Sequence, residues 1–196
     1  MREAGGRLGN RWRMAAAAAV ALSLGACASS PALPIYDLTA AKPSPMRPFR
    51  AQIQIAEPVA TLDLDSDRIL VRDGLNLSLL PGGRWPQQLS SLFRARLVET
   101  FQNAGLARSL AGGGATANYE LDLDIRAFEL DAATNQVHVD VAARIVEVNS
   151  GRVADVEIFT ERTPVASTDA AAVAAALDHT SAGVMTRIVR FVAKRL

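Results

Sequence analysis

Residues 119–163 read YELDLDIRAFELDAATNQVHVDVAARIVEVNSGRVADVEIFTERT, and their alternation decides the fold. Leu121, Leu123 and Ile125 point one way while Glu120, Asp122 and Asp124 point the other, the period-2 signature of a half-buried strand. At Phe128 and Leu130 the apolar parity flips. That places a β-bulge near Arg126 to Phe128, because one extra residue turns every later side chain over. Residues 136–148 alternate again through Val137, Val139, Val141 and Ala143. Asn149-Ser150-Gly151 is a hairpin signal into a third strand over 152–163. One apolar face and one charged face are what a meander covered on a single side requires.

The flanking sequence supplies the cover. Leu89, Leu92, Phe93, Leu97, Phe101 and Ala104 recur at helical spacing. Pro86 suits the first turn of that helix and Gly105 the position just past its end. A closing helix begins at Thr168, a good N-cap, with Asp169 favourable to the helix dipole. Val173, Leu177, Val184, Ile188 and Phe191 make its apolar stripe, and Arg187, Arg190, Lys194 and Arg195 crowd its last third. Gly183 interrupts it at a cost of about 1 kcal/mol against alanine. Upstream, residues 50–57 alternate as a strand stopped by Pro58. Arg68 to Arg72 and Asn76 to Leu80 are short strands around Asp73-Gly74, and Pro81-Gly82-Gly83 breaks the chain again. Both helices and the meander each have one apolar side. The solution is an α+β, two-layer sandwich: a mixed, mostly antiparallel sheet with two helices packed on one face.

The amino terminus is an address. Arg2, Arg7, Arg11 and Arg13 precede an apolar run from Met14 to Leu24, followed by Gly25, Ala26 and Cys27, the order of a secretory signal. This eleven-residue run spans only about 16 Å as a helix, roughly half a bilayer core. Leu24-Gly25-Ala26-Cys27 resembles the bacterial lipobox, whose cysteine sulfur takes a diacylglycerol and whose new amino terminus commonly takes a further acyl chain such as palmitate. The resemblance implies a lipoprotein signal peptide over 1–26 and lipidation at Cys27. Residues 27–48, with five prolines, then read as a tether and 49–196 as a single domain. Ala28 after the cysteine, in place of aspartate, favours the outer membrane by resemblance to enterobacterial sorting.

Composition excludes several functions. The 196 residues are 49% hydrophobic and 21% charged, with a net charge of +1. Loss of residues 1–26 removes four arginines and Glu3, leaving 17 basic and 19 acidic residues, so the mature chain carries about −2 and offers no general electrostatic case for nucleic acid. Cys27 is the only cysteine, which excludes an intramolecular disulfide, and two histidines cannot make a His-rich metal site. Asp63-Leu64-Asp65-Ser66-Asp67 starts like a calcium loop, but Arg68 and Gly74 stand where Gly and Glu are needed. Asp122 and Asp124 share a strand face and read as its wet side. His138 shares a face with Asp140, yet no nucleophile motif accompanies it. His179 reads as a helix-surface residue, and Gly112-Gly113-Gly114 lacks the lysine of a phosphate loop. No catalytic constellation, cofactor motif or metal set emerges. Arg84-Trp85-Pro86 at the helix entrance stands out, with Trp85 either a staple under the helix or a partner contact, and Arg84 beside it.

A family resemblance rests on these pieces together. The lipobox, the proline-rich lead, Ser66-Asp67-Arg68-Ile69-Leu70-Val71-Arg72, Arg84-Trp85-Pro86-Gln87-Gln88-Leu89 opening a helix, Tyr119-Glu120-Leu121, the Asn149-Ser150-Gly151 hairpin and an alanine-rich closing helix are similar to the ABC-type transport auxiliary lipoproteins, the PqiC-like group, over about residues 36–196. That resemblance implies a lipid-anchored component, facing the periplasm from the outer membrane. It would bind rather than catalyse, beside an MCE-domain protein and an ABC permease and ATPase that move lipid between membranes. Two other readings stay open: an outer-membrane assembly lipoprotein of the lipopolysaccharide-transport type, and a hydrolase using His138 and Asp140.

Overall fold

The computed structural model describes residues 32–111 and 116–196, and the chain forms a unit from Leu33 to Leu196. The signal segment, Cys27 and Gly112-Gly113-Gly114 lie outside the described residues.

Among the described residues, seven strands form one sheet. β1 is Ile53–Ile55, β2 Val59–Ala60, β3 Arg68–Asp73 and β4 Asn76–Arg84; helix α1, Leu89–Asn103, follows. β5 is Tyr119–Asp131, β6 Gln136–Glu147 and β7 Val153–Pro164, and helix α2, Ala170–Arg195, closes the chain. β5 is the spine. On one side β6 pairs with it antiparallel from Tyr119↔Glu147 to Asp131↔Gln136. On the other side β1, β2 and β3 lie end to end along it, all parallel, at Tyr119 to Leu121, Asp124 to Ile125 and Glu129 to Asp131. Pro58, which has no N–H to give, separates the first two pieces. The order β4-β3-β5-β6-β7 and the helices on one face are the mixed α+β sandwich the sequence implies.

The parity flip is a bulge: the β5–β6 register shifts between Ile125 and Ala127, and Leu121, Leu123, Ile125, Phe128 and Leu130 all end inside. They meet Phe93, Leu97 and Phe101 of α1 and Val173, Leu177, Val184 and Ile188 of α2 in one core. Phe159 of β7 packs edge-on against Phe191, and the Arg187 guanidinium lies over the Phe159 ring, 5.3 Å from its centre.

Four local expectations shift. α1 starts at Leu89, not at Pro86, and Gln88 gives it no side-chain cap. The cap comes from the 63–67 loop, where Asp65 Oδ1 accepts from Ser90 N at 3.0 Å and Ser66 O from Leu89 N at 3.2 Å. α2 is capped by Asp169, one residue later than Thr168, through the Ala172 N–H. Pro81-Gly82-Gly83 does not end β4. As the sheet's edge strand, β4 tolerates proline, and its run from Leu79 to Arg84 carries three residues more than β3 opposite, from Leu70 to Arg68. Gly183 is more than a weak point: a Cβ there would lie 2.8 Å from the Glu161 carboxylate of β7, so the helix sits close over the strand at that glycine.

The proline-rich lead also differs from a tether over much of its length. Leu38 and Ala41 are core residues. Ile35 bridges to Arg84, Asp37 pairs with Arg96 of α1 at 2.6 Å, and Thr39 donates to Asp178 of α2. Asn103 donates to the Ala41 carbonyl, and Met46 N to the Ala104 carbonyl. Residues 34–46 are thus a strap across both helices, and the unit begins near Leu33 rather than near Phe49. Its close seat depends on Gly83, where a Cβ would fall 2.4 Å from the Tyr36 ring.

Candidate partner surface

With both helices on one side, the other side of the sheet is open, and the outward positions of β3 to β7 form it. The expected wet face is a band of ion pairs. Glu129, though outward in register, is only 2% exposed: the Arg72 guanidinium holds both its oxygens. Arg162 reaches Asp131 at 3.2 Å and His138 Nδ1 at 3.3 Å. Asp140 accepts from Arg126 Nε and from the Thr160 hydroxyl, each at 2.6 Å, and Arg144 lies 3.8 Å from Asp122. Burial, followed by the Arg162 charge, lowers the His138 pKa from its ordinary value. Burial works to raise Asp140, but the hydrogen bonds from Arg126 and Thr160 outweigh it and hold the group below the carboxylate range. Burial and then the neighbouring Asp122 raise Glu120.

This geometry argues against a His138–Asp140 pair. Both Asp140 oxygens are committed to other partners, so the carboxylate does not orient the imidazole, and His138 faces a guanidinium. The acidic loop is likewise occupied: Asp65 caps α1 and Asp67 pairs with Arg84 at 3.1 Å. Among the described residues no cluster of three metal-type side chains occurs, and no helix is long and apolar enough to cross a membrane. His179 is exposed on α2.

Trp85 and Arg84 part company. Trp85 is 1% exposed, edge-on to Phe128 with ring centres 5.9 Å apart, and its backbone N–H donates to the Asp67 carbonyl. It is the staple of the two alternatives, and its ring presents no surface to a partner. Arg84 stays half-exposed, its backbone tied to Pro34 and Tyr36 and its side chain to Asp67.

A feature that the sequence reading missed lies at the β4 edge. Leu62, Leu70, Leu77 and Leu79 line a shallow groove of about 390 Å³ with Ser66 and Arg68. The signal was present in Leu75-Asn76-Leu77-Ser78-Leu79, where leucines alternate with uncharged residues on a strand taken only as a sheet component.

Among the described residues, the open side of the helix-backed sheet offers ion pairs and leucines, and Asp140 is held by Arg126 and Thr160. The chain belongs to the family of ABC-type transport auxiliary lipoprotein components, whose pattern it matches over residues 36–189. It is similar to protein XCC0632 from Xanthomonas campestris, at 30% identity and a TM-score of 0.76, over 82% of this chain and 95% of that one. An uncharacterized protein of known structure shares the fold at 12% identity and a TM-score of 0.65, over 82% and 98% of the two chains. The hypothetical protein CT253 from Chlamydia trachomatis does so at 12% and 0.50, over 74% and 98%. No curated protein matches the chain. Membership makes it a membrane-anchored lipoprotein with an auxiliary role in ABC-type transport.

Proposed function

We propose that the chain is the periplasm-facing auxiliary component that docks an MCE-type lipid-transport assembly at the outer membrane, held there by acyl chains on Cys27. It works by binding, with the MCE-domain protein and the ABC permease and ATPase as partners. The family match over residues 36–189 carries this reading. Leu24-Gly25-Ala26-Cys27 followed by Ala28 supports the anchor and the outer membrane, and the commitment of Asp140 to Arg126 and Thr160 supports binding over hydrolysis.

Purification of the full chain in mild detergent, followed by mass spectrometry, tests the partners. The MCE-domain protein and the permease are expected together. Recovery of lipopolysaccharide-transport proteins in their place would overturn the assignment. Palmitate labelling tests the anchor: Cys27→Ser should lose the label and leave the membrane fraction, and a variant that still takes up label refutes lipidation at Cys27.

A further inference from the structure

Leu75 is fully exposed at the turn between β3 and β4, Leu77 and Leu79 are about half-exposed along the strand, and Leu62, 93% exposed, lines the same groove as those two. Single exposed leucines are ordinary, but a contiguous set around a groove marks a contact surface. The edge itself is unguarded. β4 is the terminal strand of the sheet and carries no charge from Leu75 to Pro81. The opposite edge, β7, also leaves Val153, Val156 and Ile158 half-exposed, but there they are interleaved with Asp155, Glu157, Glu161 and Arg162, charges of the kind that keep an edge in water.

What covers the β4 edge follows from where the chain joins the domain. Ile35 pairs with Arg84 in parallel, with Arg84 N donating to the Pro34 carbonyl and Tyr36 N to the Arg84 carbonyl. In a parallel pairing Leu33 lies nearer the Leu75 turn than Ile35 does. Cys27 precedes Leu33 by six residues, which reach at most roughly 20 Å. With three residues of β4 taken up in its bulge, the way from Gly82 back to the Leu75 turn matches that from Ile69 to Gly74 on β3, about 17 Å. An anchor at Cys27 therefore brings its bilayer within reach of these leucines.

We infer that this bilayer is the occupant: Leu62, Leu75, Leu77 and Leu79 enter its interfacial layer and hold the domain with the β4 edge against the membrane. The inference rests on the proposed anchoring at Cys27. Arg68 lines the same groove with Asp63, Ser66 and Ser78, and its guanidinium is a cation of the kind that pairs with a headgroup phosphate. Acyl chains fix the distance from the bilayer, and an apolar patch with a cation beside it fixes which side faces it.

The test uses the full lipidated chain carrying Leu75→Cys, labelled at that thiol with a polarity-sensitive fluorophore and reconstituted into phosphatidylethanolamine/phosphatidylglycerol vesicles, a fraction of whose lipids carry a nitroxide near the headgroup. Ser150→Cys, in the turn at the other end of the sheet, is the control. Flotation reports anchoring and quenching reports contact. The label at position 75 should shift to the blue and be quenched by more than about half, because interfacial residues sit about 5–10 Å into the headgroup boundary, while that at 150 stays as in water. A protein that floats with both labels in water refutes the bilayer contact and leaves the anchor standing. A protein that does not float refutes the anchor and this inference with it. A label open on vesicles but shielded on native membranes makes the edge a protein interface and overturns the proposal.

Discussion

Replacing Trp85 by alanine separates a structural indole from a partner contact. The ring is fully covered, packed edge-on against Phe128 at 5.9 Å and 75° beneath the start of α1. A buried tryptophan covers about 150–250 Å². At about 25 cal/mol per Å², with its cavity only partly closing, truncation should cost around 4 kcal/mol, within the 3–5 kcal/mol known for such changes. For a unit of this size that lowers the melting midpoint by roughly 10 °C. Circular dichroism melts and urea titrations on the same samples measure it. Trp85→Ala combined with Phe128→Leu should cost less than the two single changes together, by the ~0.5–1.5 kcal/mol of an aromatic pair. Well below its midpoint, the Trp85→Ala protein should still capture its transport partner. A variant that melts within a degree or two of wild type, yet fails to capture the partner, would refute the reasoning and put the indole on the docking surface.

Other consequences can be measured alongside. Asp65→Ala should cost about 1 kcal/mol in urea titration, because α1 has no cap of its own, and no loss would mean the loop does not cap it. Arg72→Met should destabilise by about 2–3 kcal/mol, less than for a fully buried pair because the arginine is partly in water, whereas Arg72 and Glu129 replaced together by Met and Leu should recover most of that; no recovery refutes the pairing as the cause. Gly183→Ala should reach its full helix gain of about 1 kcal/mol only beside Glu161→Ala, and equal gains in both backgrounds would show that the carboxylate does not crowd the site. His138 and Asp140 are both held below their ordinary values. The unfolded chain therefore binds protons first, and stability present at neutral pH falls on acidification, for His138 from about pH 6.5 downward and for Asp140 from about pH 4 downward. His138→Gln should flatten the upper part of that slope and Asp140→Asn the lower, and unchanged slopes would refute the assignments.

The meander, its bulge and the two helices were legible because each is written in a short-range period: two for the strands, 3.6 for the stripes around Leu97 and Leu177. What was not legible depends on contacts between distant residues. The start of α1 moved because its cap, Asp65, lies 25 positions upstream. Glu129 has the parity of the sheet's wet face, and only the parallel seat of β3 beside β5 brings Arg72 to it. The leucines at the β4 edge carried a strand's alternation but nothing to tell an edge from a centre, and that position is set by β3 turning its other side to β5.

The proline-rich lead is the most instructive of these differences. Proline removes a donor and disfavours helix, so 28–48 read as linker; but a strap needs neither helix nor ladder, only partners for the donors that remain. Those partners are Asp178, Thr100 and Ala104, all on or next to the two helices and far away in sequence. The strap has a functional effect as well. Were residues 27–48 free, an anchor at Cys27 would let the domain roam roughly 70 Å from the bilayer at full extension. With the chain fastened from Pro34 onward, that reach falls to roughly 24 Å. A domain held so close has few orientations open to it, and the partner must come to the membrane surface to meet it. Unseating the strap where it first meets the domain, for instance by Gly83→Val, whose Cβ would fall 2.4 Å from the Tyr36 ring, should therefore widen the label-to-bilayer distance at Ser150 without changing flotation, and an unchanged distance would mean that the strap does not set the domain's position.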